Sequence, residues 1–436
     1  MKSRNFVMFL SALLLAGAVC AQAVSPLTLE TAIARALDTD AGLKAVGFER
    51  SSAEFRMKQA ASNRYPVISL NAKARFIDEL QSISTPLFSK EIGSKETYQF
   101  DATISMPVYT GGKIGSRIDM AGNQYRAVDM AWQAKRLEAA YRCRRAYFAL
   151  LAAQAQREAV AASQKRIDVV TEDVTNLHAA GMADSLDVLE TDLAREEIKL
   201  QIAAAETNRD NAAEALKKLI GEFDMHMQKL DTLFYPKAPH VAEADIAALM
   251  KRPELQQLAY LESAAQDAVS AIRAGYFPDI SAFAGYSYGM PNQDMFDKSW
   301  NDYFSAGVLL SWSFNLGGQT RHTVGEAQAA VHRTVAERND VEEALLLTAR
   351  TALNKMQQAY NECEIVSREM HIAQRKYALA EEKRASGVLS VNRLLEIEAE
   401  LTAVEKKSDA AIAAFYTAQA EFLFAIGSER LFGGVQ

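Results

Sequence analysis

Two pairs of segments along the chain alternate strictly between apolar and polar or small side chains. The first pair covers residues 67–76 and 97–108, and the second covers residues 280–288 and 304–314. A period of two is typical of a β-strand with one apolar face. These segments have the roughly 9 to 11 residues that a tilted strand needs to cross a membrane. Strands of soluble domains average only about 5 or 6. We therefore predict four membrane strands in each chain.

Long segments without proline follow each pair of strands. Residues 114–179 and residues 319–386 contain none. At about 1.5 Å per residue, a single helix over either segment is close to 100 Å long. Gly181 and Gly387 then interrupt the helical pattern. We expect each long helix to fold back there on a second helix, which gives two helical hairpins.

The second half of the chain repeats the first. Tyr65-Pro66 is similar to Phe277-Pro278, and the segment from Gly181 to Gly221 is repeated, 206 residues later, from Gly387 to Gly427. A repeat of this length predicts a tandem duplication. The predicted domains are a signal peptide (1–23), a first repeat (24–221), a linker (222–243) and a second repeat (244–436).

The first residues have the order of a secretory signal. Lys2 and Arg4 precede an apolar run over residues 6–19, and Ala21-Gln22-Ala23 is a small-x-small cleavage site. The run is shorter than the roughly 20 residues of a membrane helix. Gly17 and Val19 do not suit a lipoprotein site, so cleavage after Ala23 is favoured over lipidation of Cys20.

Composition narrows the function classes. The chain has 48 Lys+Arg against 55 Asp+Glu and no Lys/Arg-rich run, which argues against nucleic-acid binding. Three cysteines exclude a disulfide framework. Cys143 and Cys363 are not at equivalent positions of the repeats, so we expect no bond between them within one chain. No apolar stretch of 18 residues follows the signal, so the chain is exported without a transmembrane helix.

Four strands cannot close a membrane barrel, because the smallest barrels have about eight. The chain must therefore oligomerise, with two copies giving 8 strands and three giving 12. The second face of the strands is small and polar, which suits an open pore and favours the trimer. Its residues are Ser69, Asn71, Thr103, Ser281, Gly285, Ser305, Gly307 and Ser311. The loops from Ile77 to Glu96 and from Gly289 to Asp302 are expected to face outside.

At the family level, the chain resembles the TolC-like outer-membrane efflux proteins. The resemblance rests on several motifs: the opening helix from Thr28 to Leu37, the strand entries Tyr65-Pro66 and Phe277-Pro278, the strand exits Pro107–Gly112 and Phe314–Gly318, and the hairpin tip Gly181–Leu189. It implies a mainly α fold, in which long helical hairpins form an α-barrel and four strands per chain complete a trimeric 12-stranded β-barrel. It also implies a passive duct in the outer membrane that docks onto a periplasmic adaptor and an inner-membrane pump.

The resemblance also suggests where the tip acts. The positions that match the family's closed aperture hold Arg393 and Glu396, one turn apart on one helix face. Arg393 departs from the family's usual acidic residue. Our hypothesis is that these two residues form salt links between subunits, and that Arg384 pairs with Asp187 between neighbouring hairpins. Ordinary solvated charges are the alternative for all four. The predicted adaptor-docking tip comprises Gly181, Ser185, Leu186, Gly387, Leu389 and Ser390, and the predicted strand-to-helix turns contain Gly111, Gly112, Gly317 and Gly318.

No catalytic, cofactor or metal constellation is recognisable. The six histidines have no metal-ligand spacing, and Gly111-Gly112-Lys113 lacks the spacing of a phosphate loop. Ser185 and Ser390 suit helix caps. We therefore predict no enzyme and no cofactor. The main alternative is a periplasmic coiled-coil adaptor or scaffold without a pore. The exported compound stays open, since drug efflux, metal efflux and protein secretion share this architecture.

Overall fold

The computed structural model describes residues 27–85, 88–91, 93–221, 234–239, 248–294 and 298–433. The predicted signal peptide with Cys20, and most of the predicted linker, lie outside these residues. The α-helices are α1 Leu29–Thr39, α2 Ala41–Ser62, α3 Lys113–Ala179, α4 Ser185–Ile220, α5 Pro253–Arg273, α6 Gln319–Ala385 and α7 Val391–Ala425. The strands are β1 Val67–Phe76, β2 Ser82–Thr85, β3 Phe88–Glu91, β4 Glu96–Tyr109, β5 Asp279–Met290 and β6 Asn301–Ser311.

The two long helices have the predicted extent. Both α3 and α6 have 67 residues, and each ends just before the glycine that was expected to break it. Contacts divide the chain into two units. One unit comprises residues 1–43, 136–249 and 345–436, and the other comprises residues 44–135 and 250–344. The division into sequence repeats is a different partition and stays a prediction.

The unit of residues 44–135 and 250–344 contains an antiparallel four-stranded sheet in the order β1-β4-β5-β6. Register keeps the apolar residues on one face, with Leu70 opposite Ala102, Ala102 opposite Tyr286 and Tyr286 opposite Phe304. This face is exposed in the single chain, where Leu70 is 79% and Phe304 70% accessible. The predicted alternation is therefore confirmed across all four strands.

Two local predictions were incomplete. The loop from Ile77 to Glu96 contains a short antiparallel hairpin of β2 and β3, whose four-residue strands were too short to recognise from sequence periodicity. The opening segment forms two helices where one was expected. Asp40 separates them, because its carboxylate accepts from the Leu43 backbone N–H at 2.6 Å and from Arg142 at 2.7 Å. A carboxylate that caps α2 in this way makes a boundary at residue 40.

The unit of residues 1–43, 136–249 and 345–436 has its core among α1, α3, α4, α6 and α7. Along α6 the buried residues Met356, Ala359, Cys363 and Val366 follow the alternating three- and four-residue spacing of a coiled-coil seam. Cys143 of α3 lies in the same core, and both cysteines are free thiols. Burial raises the pKa of the Cys143 thiol to about 12, although Arg144 lowers it.

Candidate functional site

The turns that end α3 and α6 have the same geometry. Gly181 and Gly387 both have a φ of 73°. The Gly181 N–H donates to the His178 carbonyl at 2.9 Å, and the Met182 N–H donates to the Leu177 carbonyl at 2.8 Å. Gly387 and Val388 repeat both bonds on Arg384 and Lys383. This pattern closes a helix end and needs a left-handed residue, so glycine at these two positions fixes where each hairpin turns.

The helices that leave these turns begin differently. The Ser390 hydroxyl accepts from the Arg393 backbone N–H at 3.4 Å and caps α7, as expected. The predicted cap at Ser185 was wrong. Asp184 occupies the N-cap position of α4, without a side-chain cap bond, and Ser185 is the first helical residue. The two serines therefore differ in position by one residue. Ser390 precedes the first residue of α7, whereas Ser185 is itself the first residue of α4.

The two predicted aperture residues bond to each other within one chain. The Arg393 guanidinium contacts the Glu396 carboxylate at 2.5 Å, and both side chains are about half exposed. Glu396 raises the pKa of Arg393 by accepting this bond. Leu389, assigned to the tip, packs partly against the small buried cluster of Tyr377, Leu394 and Ile397. The pair therefore lies on the exposed side of α7, whose residues Leu394 and Ile397 belong to the buried cluster.

Arg384 lines a groove of about 870 Å³ between the ends of α3 and α6, with Arg166, Asp173, Met182 and Tyr377 on its walls. The salt bridges found among the described residues do not include one between Arg384 and Asp187. Leu186, beside Asp187 at the start of α4, is exposed. The pairing of Arg384 with Asp187 between neighbouring hairpins therefore stays a prediction.

A buried ionic network that the sequence analysis missed joins α3 to α7 behind the tip. Arg166 donates to Glu398 at 3.1 Å, to Thr402 at 3.0 Å and to Glu405 at 2.9 Å. The Thr402 hydroxyl donates to Glu398 at 2.8 Å. The Arg166 guanidinium also lies 5.8 Å from the centre of the Tyr377 ring. Glu398 lies between Leu394 and Leu401 on the apolar face of α7. A charged residue among regularly spaced apolar residues was the feature of the sequence that could have indicated this network.

The strand-to-helix turns contain the predicted glycines. Gly111, Gly112 and Gly318 have positive φ values of 62°, 87° and 71°. A Cβ on Gly111 would lie 2.8 Å from the Ala274 carbonyl oxygen, so this position also excludes a side chain for lack of space. The Gly317 N–H donates to the Asn315 side chain at 2.9 Å. These turns lead each strand pair directly into its long helix.

The second face of the sheet is largely small and polar, although it also carries Phe283 and Leu309. Ser69, Thr103, Gly285 and Ser305 are opposite one another in one row across all four strands. Aromatic rings lie at both ends of β6. Trp300 stacks on Tyr288 at 5.0 Å, and Trp312 donates to the Tyr276 carbonyl at 3.3 Å. One sheet therefore presents an apolar face, a polar face and indole rings at each end.

No described helix combines the length and apolar character needed to cross a membrane. Within the same residues, no three His, Cys, Asp or Glu side chains are grouped so as to hold a metal ion.

The model of the outer membrane efflux protein family matches residues 32–222 and 247–428. The chain belongs to this family. Outer membrane protein TolC of Vibrio cholerae is 25% identical over 321 residues, which are 71% of this chain and 69% of that protein. The pyoverdine export outer membrane protein OpmQ of Pseudomonas aeruginosa is 25% identical over 278 residues, 61% of this chain and 56% of that one.

Solved structures share the fold of this outer membrane efflux protein. CusC matches with a TM-score of 0.77 at 17% identity, over 92% of both chains. The open state of the MtrE outer membrane channel of Neisseria gonorrhoeae matches with a TM-score of 0.75 at 17% identity, over 92% of this chain and 89% of that one. The family resemblance is confirmed, as is the mainly α fold with long hairpins and a four-stranded sheet.

The family settles the broad function and location. The protein is an outer-membrane efflux channel component, and its family is one of channels rather than enzymes. Nothing in the comparisons supports the periplasmic adaptor that was the main alternative.

Proposed function

We propose that three copies of the chain form a passive duct through the outer membrane, which conducts small toxic compounds or a secreted protein outward. One observation carries this proposal: the four strands share one continuous apolar face, and their second face is largely small and polar. The edges β1 and β6 have no second strand partner among the described residues. Unpaired edges in lipid leave backbone groups without hydrogen bonds, so the strands of neighbouring copies must meet there.

Three copies place twelve strands in the closed sheet. An eight-stranded barrel is filled by its own side chains, whereas a larger one encloses water. The row of Ser69, Thr103, Gly285 and Ser305 would then line the lumen, and Leu70 and Phe304 would face lipid. The indoles of Trp300 and Trp312 suit the two membrane interfaces, where aromatic residues collect.

The hairpin tips are the proposed site of contact with partner proteins. A periplasmic adaptor and an inner-membrane pump are the proposed partners, as the family resemblance implies. Gly181, Ser185, Leu186, Gly387, Leu389 and Ser390 form the proposed docking tip. Arg393 and Glu396, with Arg384 and Asp187, form the proposed gate. No bound cofactor is needed for passive conduction.

Two adjacent substitutions on β4 test the duct. Thr103→Arg places a cation on the polar face, while Ala102→Arg places it on the apolar face at the same depth. We expect Thr103→Arg to retain a heat-dissociable trimer and to shift the ion selectivity of planar-bilayer conductance toward anions. Ala102→Arg should abolish membrane assembly, since Arg in lipid costs about 2–4 kcal/mol in each copy.

The opposite pattern would reject this orientation of the sheet. A chain that migrates as a monomer before boiling and conducts no ions in either variant or in the unmodified form would reject the duct itself.

A further inference from the structure

A groove of about 590 Å³ runs between α4 and α7, with buried residues of α3 at its floor. Side-chain bonds join the two helices at both ends of this α4–α7 groove. The Asn392 side chain donates to the Glu190 carboxylate at 3.4 Å, and the Lys406 ammonium donates to the Gln201 side chain at 3.0 Å. Every residue of the lining belongs to the same one of the two units, so a single chain forms the whole groove.

The floor of the α4–α7 groove presents a buried hydroxyl without a hydrogen-bond partner. Ser163 lines the groove and is 0% accessible, and its Oγ atom makes no hydrogen bond within the described part of the chain. Buried polar atoms nearly always have a partner, so an unpaired one at the wall of a groove indicates a place for a polar group of a ligand. Ile167, one turn further along α3, is also buried and adds an apolar contact beside it.

The α4 wall of the groove carries two carboxylates with an apolar surface between them. Glu190 and Glu197 are seven positions apart, so they share one face of the helix and lie about 10.5 Å apart along its axis. Leu193 and Ala194 lie between them on the same face. Among the described residues, neither carboxylate forms a salt bridge. This wall can therefore accept two cationic groups.

The charged residues on the α7 wall already have partners within the chain. The bonds are those of Glu396 with Arg393, Glu398 with Arg166 and Lys406 with Gln201. Ala399 and Ala403 line the same wall, and their small side chains leave room between the helices. Lys406 keeps its positive charge at one end, so the two open carboxylates of α4 give the groove a net negative charge.

A linear aliphatic diamine matches this arrangement of charge and apolar surface. With bonds of about 1.5 Å, an extended chain of about eight methylenes separates its two nitrogen atoms by nearly the spacing of Glu190 and Glu197. The methylenes would lie on Leu193 and Ala194. Ser163 precedes Gly181 by eighteen positions and Glu197 follows it by sixteen, so the hydroxyl and this carboxylate lie at nearly the same level of the hairpin. One ammonium can therefore donate to both of them.

We propose that the α4–α7 groove binds a linear aliphatic diamine or polyamine, with one ammonium on Glu190 and the other between Glu197 and Ser163. The site needs only one chain, so it does not rest on the trimer of the proposed function. Its walls come from both hairpins, because α3 and α4 form the first and α7 belongs to the second. A ligand that contacts both hairpins stabilises their packed arrangement.

Calorimetric titration of the purified full-length protein with 1,8-diaminooctane tests the site. We expect saturable binding of one molecule per chain. The affinity should be at least about tenfold tighter than that for 8-amino-1-octanol, which has the same length but only one ammonium. Ethylenediamine is too short to reach both carboxylates, and Mg²⁺ has no apolar part, so both should bind more weakly still. Equal affinity for any of these three would overturn a site for a two-ended cation.

Two double variants of α4 separate the site from general attraction of cations. Glu190→Gln with Glu197→Gln should weaken binding of the diamine at least about tenfold, because both ammonium partners are lost. Asp192→Asn with Glu196→Gln is the matched control, since it removes the same charge from α4 outside the groove and should change the affinity by about twofold or less. An equal loss in both variants would show non-specific attraction and overturn the site.

Two further variants keep both carboxylates. Leu193→Lys places a fixed ammonium between them at a position that is 62% exposed, so the chain tolerates the change, and binding should be lost. Lys406→Gln removes a like charge and should tighten binding. Unchanged affinity in Leu193→Lys would contradict the proposed position of the ligand.

Unfolding curves and bilayer conductance are measured on the same samples. The diamine should raise the unfolding temperature of the unmodified protein and not that of the Glu190→Gln, Glu197→Gln variant. A protein that conducts ions but binds no diamine rejects this site and leaves the proposed function in place. A protein that binds the diamine but conducts no ions rejects the duct and leaves the site in place.

Discussion

Arg166 on α3 and Glu398 on α7 form an ion pair at 3.1 Å, with only 20% and 4% of their side chains accessible. The residues are 232 positions apart in sequence, so the pair joins the first hairpin to the second. Thr402 and Glu405 accept three further bonds from the guanidinium, so four of its five N–H groups are bonded. A largely buried pair with four hydrogen bonds holds one register of the two helices, since sliding by a turn would leave charges unpaired.

Replacing Arg166 by Gln should destabilise the helical unit strongly. The change leaves Glu398 buried without its counter-charge, for which the cost is about 3–5 kcal/mol. Thermal unfolding of the purified protein, followed by circular dichroism, measures the loss. Arg157→Gln is the matched control, because Arg157 bonds Glu206 at 3.4 Å with both side chains well exposed, and such pairs contribute about 1 kcal/mol or less. Equal effects of the two variants would contradict the role of the buried network.

Asp409 predicts a pH dependence of stability. Burial, followed by the charges of Glu405 and Glu158, raises the pKa of this carboxyl from 3.8 to about 6. The folded protein therefore binds this proton more tightly than the unfolded chain. The associated stability is fully present below pH 3.8 and is lost as the pH rises through about 6.

Asp409→Asn should accordingly raise the unfolding temperature at pH 7 and have little effect at pH 4. The expected difference is on the order of 1–3 kcal/mol across this interval. The measurement is a pair of unfolding curves for each protein at the two pH values. A variant that loses stability equally at both would show that Asp409 makes a contact that does not depend on its charge.

The hairpin turn depends on the backbone of its glycines. Gly181→Ala should destabilise the tip by about 1–2 kcal/mol, because a Cβ at a φ of 73° is strained even though no atom lies within 4 Å of it. Gly122→Ala is the control, since Gly122 is inside α3 with equally open surroundings. That change should stabilise the helix by about 0.5–1 kcal/mol. Hydrogen exchange at the Met182 amide, which donates to the Leu177 carbonyl, reports on the turn; slower exchange in Gly181→Ala would disprove the strain.

The proposed gate predicts a change in conductance. Removing both charges, as Arg393→Ala with Glu396→Ala, should open the closed pore if salt links between copies hold it shut. Single-channel current in a planar bilayer measures the opening. Arg333→Ala with Glu337→Ala removes an exposed ion pair of α6 instead, and should leave the current unchanged. A closed pore that stays closed in the first variant rejects the gate at these residues. Arg384→Asp tests the second pair, and an unaltered current would remove Arg384 and Asp187 from the gate.

Much of this fold follows from local patterns. Alternation over residues 67–76 fixes the face and the length of β1, and the glycines with positive φ mark the ends of the long helices. These features depend on residues close together in sequence, where periodicity and backbone sterics act directly. Ser185 was misassigned because several polar residues can satisfy the local geometry that sets the exact first residue of a helix.

The sequence by itself determined the elements, the apolar and polar faces of the strands and the membership of the family. Only the tertiary structure decided which charged residues form ion pairs with each other. Arg166 and Glu398 are two charges among many until α3 and α7 are packed together. Periodicity indicates that a residue packs against an apolar partner, but which residue is that partner depends on contacts between residues far apart in the chain.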